Sequence, residues 1–138
     1  MPRIAIVDDN VDVLALFRSL IAPHHEVKTY ADAASALAGV KAHRPDVVLL
    51  DISLGDASGV DVLHQLRAEP GLQALPIIAV TAHSQRVERA RFLAEGFTDY
   101  VAKPLTDHDL LLSVIETALR GESTPWMDDD LEELAASK

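Results

Sequence analysis

Pro45-Asp46-Val47-Val48-Leu49-Leu50-Asp51 is the stretch on which the fold turns. Val47 to Leu50 leave no polar face, as expected of a central parallel strand with helices packed on both sides. The run then ends on a carboxylate, where a buried strand meets solvent. Three other segments close in the same way. Ile4-Ala5-Ile6-Val7 runs into Asp8-Asp9, Ile77-Ile78-Ala79-Val80 into Thr81, and Tyr100-Val101-Ala102 into Lys103. Open parallel α/β sheets place their sites just beyond the carboxyl ends of the strands. The sequence therefore predicts three carboxylates, one hydroxyl and one ammonium at a single sheet edge.

Around that run, aliphatic segments alternate with amphipathic ones, the pattern of βαβ units. Strands are expected near 3–7, 26–30, 46–50, 76–80 and 98–102, and helices near 11–21, 32–43, 58–68, 84–95 and 106–120. Val11, Leu14, Phe17, Leu20 and Ile21 give the first helix its apolar stripe; Leu111, Leu112, Ile115, Ala118 and Leu119 do so for the last. Thr106 opens that last helix, with Asp107 and Asp109 complementing its dipole. Gly96 stands where a left-handed residue would close the fourth helix, and Pro70-Gly71 marks the loop before the fourth strand. Right-handed crossovers then give a three-layer α/β sandwich of one domain, residues 1–120.

Composition removes several classes of function. The 138 residues are 49 % apolar and 25 % charged, with no cysteine, which excludes disulfides and thiolate chemistry. No apolar run approaches the roughly 18 residues needed to span a bilayer. Asp8, Asp9 and Asp12 interrupt any secretion-signal core, so the cytoplasm is the expected location, with no membrane partner. Net charge is −10, of which six acids and one lysine place −5 in the tail, residues 121–138. Neither part offers the basic footprint of a nucleic-acid binder.

The strand-end residues suit one kind of chemistry. An aspartate such as Asp51 can take a phosphoryl group as an acyl phosphate, but anion must then meet anion. Mg²⁺ relieves that conflict through oxygen ligands, and Asp8-Asp9 beside Asp51 form a half-built cage for it. Without a cation, clustered carboxylates repel and a pKa must rise. Lys103 supplies a positive charge for a phosphate oxygen, and the Thr81 hydroxyl can donate to the phosphoryl group. No general base is required, because phosphoryl transfer is largely positioning and electrostatics.

Asp8-Asp9-Asn10, Asp51, Thr81-Ala82 and Lys103-Pro104, with Tyr100 three residues before the lysine, resemble the receiver domain of two-component response regulators, over roughly residues 3–120. The resemblance implies a flavodoxin-like (βα)5 fold with strand order 2-1-3-4-5. It makes Asp51 the phosphoacceptor, Asp9 a direct Mg²⁺ ligand, Asp8 a nearby one, and the Ser53 backbone carbonyl a further ligand. Thr81, Ala82 and Lys103 would bind phosphate, Thr81 and Tyr100 would form the switch pair, and Lys103–Pro104 would be a cis peptide. Ser53 and His83 flank the site at variable positions and would tune access of water. Gly55 and Ala57 stand where proline and methionine are common, leaving the loop after Asp51 less constrained, and Phe97 where a smaller residue is frequent.

The resemblance implies a phosphoacceptor protein rather than an enzyme, stand-alone, working as a monomer or weak homodimer. Its phosphodonor would be a histidine kinase or histidine phosphotransfer protein. Its output would be a protein contact through the fourth helix, fifth strand and fifth helix. One alternative is a receiver-like scaffold that is never phosphorylated. Another is a haloacid-dehalogenase-type phosphatase, but that chemistry wants a second aspartate two residues on, where Ser53 stands. A flavin site is disfavoured because Asp8-Asp9 would repel an FMN phosphate. An alternative for Tyr100 is plain strand packing, and for Arg86, Arg89 and Arg91 a solvated face or a docking patch. The histidines other than His83 read as surface or boundary residues. In the tail, Met127, Leu131 and Leu134 share a helical stripe beside Trp126; a docking peptide and a disordered acidic tail both fit.

Overall fold

A computed structural model describes residues 1–82, 86–103 and 108–122, with residues 86–89 described by their backbone alone. The elements are β1 (Arg3–Val7), α1 (Val11–Ile21), β2 (Glu26–Tyr30), α2 (Ala33–His43), β3 (Val47–Asp51), β4 (Ser53–Leu54), β5 (Ala57–Ser58), α3 (Gly59–Ala68), β6 (Ile77–Thr81), α4 (Arg86–Glu95), β7 (Asp99–Ala102) and α5 (His108–Leu119). Five strands form a parallel sheet in the order β2-β1-β3-β6-β7. Without the small β4–β5 pair, this is the flavodoxin-like order 2-1-3-4-5.

Alternation along β3 builds two cores. Val48 and Leu50 face Ala36, Val40, Val62, Leu63, Leu66 and Phe92 of α2, α3 and α4. Val47 and Leu49 face Leu14, Phe17 and Ile21 of α1 and Leu111, Val114, Ile115 and Ala118 of α5. All four β3 side chains are fully buried, and burying one such leucine contributes about 2 kcal/mol. Val11, expected on the buried stripe, is exposed instead. It occupies the first turn of α1, where it stays open to solvent.

α2 and α3 start one residue later than the apolar pattern suggests, because a polar side chain caps each from outside. Asp32 accepts from the Ser35 amide at 2.7 Å, and Ser58 accepts from Val60. Gly96 holds the positive φ expected of it, 120°, and Gly71, in the expected loop, has φ 87°. β4 and β5 were not expected. They pair antiparallel, Ser53 with Ser58 and Leu54 with Ala57, around a two-residue turn in which Gly55 has φ 63°. Positive φ at the first turn position alone is the pattern of a type II′ hairpin turn, which glycine favours. The loop after Asp51 is thereby held as a hairpin.

His25, expected at the surface or its boundary, is buried just before β2. Its Nε2 lies 3.0 Å from Glu116 Oε1 on α5, out of line for a hydrogen bond. Among the described residues no helix is long and apolar enough to cross a membrane. His83, Pro104, Thr106 and the tail from 123 lie outside the described residues, so the expected cis peptide and tail helix do as well.

Candidate functional site

β2 and β3 lie on opposite sides of β1, so the strand order reverses there and a crevice opens at the carboxyl ends of β1 and β3. Asp8 is the first residue after β1, and its amide extends the ladder to the Tyr30 carbonyl at 3.1 Å. Asp51 is the last residue of β3, in register with Val80 of β6. Thr81 ends β6, and Lys103 follows β7, its amide bonded to the Thr81 carbonyl at 2.8 Å. The five groups anticipated from the sequence, Asp8, Asp9, Asp51, Thr81 and Lys103, therefore line one cleft of about 370 Å³, together with Ser53 and Ala82.

Within the cleft the Lys103 ammonium bridges two carboxylates, at 2.7 Å to Asp8 Oδ2 and 3.0 Å to Asp51 Oδ2. Each acid is also held by a backbone amide. Asn10 N–H donates to Asp8 Oδ1 at 2.9 Å, and Ser53 N–H donates to Asp51 Oδ1 at 3.1 Å. Asp8 and Asp51 are buried, whereas Asp9 stays exposed at the cleft mouth. Burial raises the Asp51 pKa above its ordinary value; the Ser53 amide and Lys103 oppose that rise, and the Asp8 charge adds to it. Burial pulls the Lys103 pKa down, but its bonds to Asp8 and Asp51 outweigh this, so it lies above its usual value.

One carboxylate oxygen each from Asp8, Asp9 and Asp51 lie within 4.8 Å of one another. An all-oxygen, anionic donor set of this kind fits a hard divalent cation such as Mg²⁺, which takes a few carboxylates and keeps its remaining waters.

Thr81 is buried at the cleft floor, and Ala82 is exposed beside it. Tyr100 does not reach the cleft surface. Its ring is buried in the core that also holds Phe92 and Phe97, themselves in edge-to-face contact at 5.9 Å. The Phe97 ring is thus accommodated by packing, although the sequence reading singled it out as unusually large.

Two supporting residues were given no role from the sequence, although Asn10 stands in the Asp8-Asp9-Asn10 motif. Asn10 caps α1, accepting from the Asp12 and Val13 amides while its own amide holds Asp8. Gly59 begins α3 directly beneath the site. A Cβ there would overlap the Asp51 carbonyl oxygen and lie 2.8 Å from Ile52 Cα, and the Gly59 amide bonds the Ile52 carbonyl at 2.7 Å. Glycine after a capping serine is ordinary, so only the close approach reveals its purpose.

The family model for the response regulator receiver domain matches residues 4–115, and the chain belongs to that family. It is 40 % identical over 114 residues to the probable transcriptional regulatory protein TcrX of Mycobacterium tuberculosis, covering 80 % of this chain and 47 % of TcrX. It is 36 % identical over 108 residues to the polar-differentiation response regulator DivK of Brucella anthropi, covering 77 % of this chain and 88 % of DivK. The chain thus spans about half the length of TcrX and most of the length of DivK. Among solved structures it resembles the receiver domain of the sensor histidine kinase PA1611 from Pseudomonas aeruginosa PAO1, with a TM-score of 0.77 and 26 % identity over 86 % of this chain and 97 % of that one. That receiver holds a magnesium ion coordinated in its active-site cleft.

Proposed function

We propose that the protein is a phosphoryl-accepting switch of a two-component or phosphorelay system, with Asp51 as the phosphoacceptor. The observation that carries this reading is the placement of the Asp51 carboxylate. It is fixed at a strand end, bridged to Asp8 by the Lys103 ammonium, with Asp9 close by at the solvent side. The donor would be a phosphohistidine on a histidine kinase or phosphotransfer protein. One Asp51 oxygen attacks phosphorus as the phosphorus–nitrogen bond to the donor imidazole breaks, and the imidazole nitrogen leaves with the bonding electrons.

Asp8, Asp9, Asp51 and the Ser53 carbonyl would hold Mg²⁺, which when bound offsets the charge between the acids and the phosphoryl oxygens. Lys103 would turn from the carboxylates toward the phosphate, and Thr81 with Ala82 would meet it from the β6 side. The Thr81 hydroxyl and the buried Tyr100 ring form the proposed switch pair, with Ser53 and His83 tuning water access. Phosphorylation then biases an existing equilibrium by only as much as the phosphate's differential contacts allow. Residues 1–120 form the receiver, which acts in the cytoplasm as a phosphoacceptor rather than an enzyme. Its output is protein contact through α4, β7 and α5, as a monomer or weak homodimer.

Intact mass after incubation with acetyl phosphate, with and without Mg²⁺, tests this directly. We expect a single Mg²⁺-dependent phosphoryl adduct that is lost in Asp51→Asn. No adduct, where a control receiver is labelled, would replace this reading with that of an unphosphorylated scaffold.

A further inference from the structure

The main-chain groups of β2 divide by residue parity. The Glu26 amide bonds the Pro2 carbonyl at 3.0 Å, and the Tyr30 carbonyl accepts from the Asp8 amide at 3.1 Å. In a parallel pair alternate residues bond the same neighbour, so Glu26, Lys28 and Tyr30 turn their polar groups toward β1. Val27 and Thr29 turn theirs to the sheet edge, where no described strand pairs with them. A trough of about 410 Å³ runs along this edge, lined by Val27 and Thr29 and flanked by Arg18 of α1 and His43 of α2. Unpaired groups without a proline leave an edge open to strand addition, and charged side chains ordinarily discourage it. Here Glu26 and Lys28, both exposed, supply those charges. They deter every incoming strand except one that sets the opposite sign against each of them.

β2 itself meets that condition. Outward residues must face outward residues for bonds to form, which leaves few antiparallel registers. With a two-fold at Val27, Val27 faces Val27 of a second copy and exchanges two hydrogen bonds with it. Glu26 then stands opposite Lys28 of the copy, and Lys28 opposite its Glu26, in the closer, non-hydrogen-bonded pairs. Arg3 lies beside Glu26 in the same row, its Nε 3.4 Å from Glu26 Oε2. The joined sheet therefore carries the row Arg3, Glu26, Lys28 in alternating sign, twice over. A two-fold at Glu26 or Lys28 would set like charges directly opposite, which is destabilising, and one at Thr29 would face Lys28 with Tyr30. The Lys28 register would exchange four bonds, but exposed edge groups forgo a bond at little cost because water replaces it. Charge therefore decides the register.

We propose that the β2 edge is a self-complementary interface, on which a second copy of this chain adds its own β2 antiparallel, with the two-fold at Val27. The two sheets join into one. β2 and β7 lie at opposite edges of the sheet, so this pairing leaves α4, β7 and α5 free for output. A single strand pair is a small interface, so the dimer is weak and fills only at high protein concentration.

Sedimentation equilibrium of the full chain, from micromolar to millimolar protein, tests this. The weight-average mass should climb from 14.9 kDa toward twice that value as concentration rises. Lys28→Glu and Glu26→Lys, taken singly, should each weaken association by about tenfold, because each sets two like-charged pairs across the two-fold. The double variant Glu26→Lys, Lys28→Glu exchanges the signs and should restore most of the association. Both residues are exposed, so the fold should persist, as circular dichroism and the thermal midpoint would verify. A parent protein that stays at 14.9 kDa throughout overturns the proposal. Association that survives either single variant, as a two-fold at Lys28 or a contact on another face would allow, overturns it as well. So does a double variant as weak as the singles, since the loss would then not come from the pairing of these two charges.

Discussion

The two ends of the sheet handle charge in opposite ways. At the carboxyl ends, Asp8, Asp9 and Asp51 crowd around one ammonium, and Lys103 satisfies two of the three. At the amino ends of β6 and β7, one cation serves only neutral acceptors. Arg67, in the last turn of α3, donates to the carbonyls of Leu72, Leu75 and Gly96, at 2.5 to 3.2 Å. Arg44 does the same on a smaller scale, reaching the Lys41 and Pro70 carbonyls. The amino end thus closes its polar groups on one another, while the carboxyl end keeps like charges together for an incoming ligand. Unresolved charge marks a site and satisfied charge a joint, so substitutions at the two ends should differ in sign.

The strongest challenge to that contrast comes from the backbone. Gly59→Ala lies at the charged end, yet it alters no charge. Its methyl group would meet the Asp51 carbonyl and the Ile52 Cα, neither of which is a flexible side-chain end. Either α3 or the end of β3 must move, at a cost of about 3 kcal/mol. Urea unfolding should show that loss, and phosphorylation from acetyl phosphate should fall with it as Asp51 shifts. A variant within about 1 kcal/mol of the parent would show that the crevice yields more easily than its packing implies.

Arg67→Met tests the opposite end. Three carbonyls lose a charged donor while the aliphatic stem is roughly preserved, and the expected loss is about 2 kcal/mol. Burial lowers the Arg67 pKa, but a guanidinium stays charged in proteins, so Arg67 remains a donor. Phosphorylation should be almost untouched, since no cleft residue bonds Arg67. A large effect on phosphate uptake with little loss of stability would erase the distinction between the two ends.

The charged end was far more legible in the sequence than the neutral one, for a physical reason. A strand that is apolar on both faces and then stops at a carboxylate advertises its own boundary, so Asp8, Asp51, Thr81 and Lys103 all fall at the expected sheet edge. The alternation of such strands with amphipathic helices gave the layers as well. Arg67 looked like any polar residue on a helix surface, because its acceptors are main-chain carbonyls that no side-chain pattern encodes. Gly59 was silent for the same reason, since the demand comes from the Asp51 and Ile52 backbone. The β4–β5 hairpin was missed because two-residue strands have no periodicity to read. Val11 was misplaced because its helical spacing is correct while the first turn of α1 leaves it open to solvent. His25 became a buried residue through α5, which reaches it from far along the chain.

The smallest effect tests the charged end by its sign. Asp51 titrates above its ordinary 3.8 in the folded protein, chiefly because it is buried. Between the unfolded and folded pKa values, the folded state binds more protons than the unfolded one. Stability attributable to this group therefore falls as pH rises from 3.8 through the folded value, and the penalty is complete above it. Asp51→Asn removes that penalty while keeping an oxygen for Lys103. Water in the cleft screens the charges, so the gain at neutral pH should be below about 1 kcal/mol. In urea midpoints taken from acid to neutral pH, the variant should match the parent in acid and move ahead as pH rises. A variant that instead fell behind at neutral pH would mean that the Lys103 bridge outweighs burial and repulsion together. The acidic cleft would then be a joint like the one at Arg67, and the contrast between the two ends would fail.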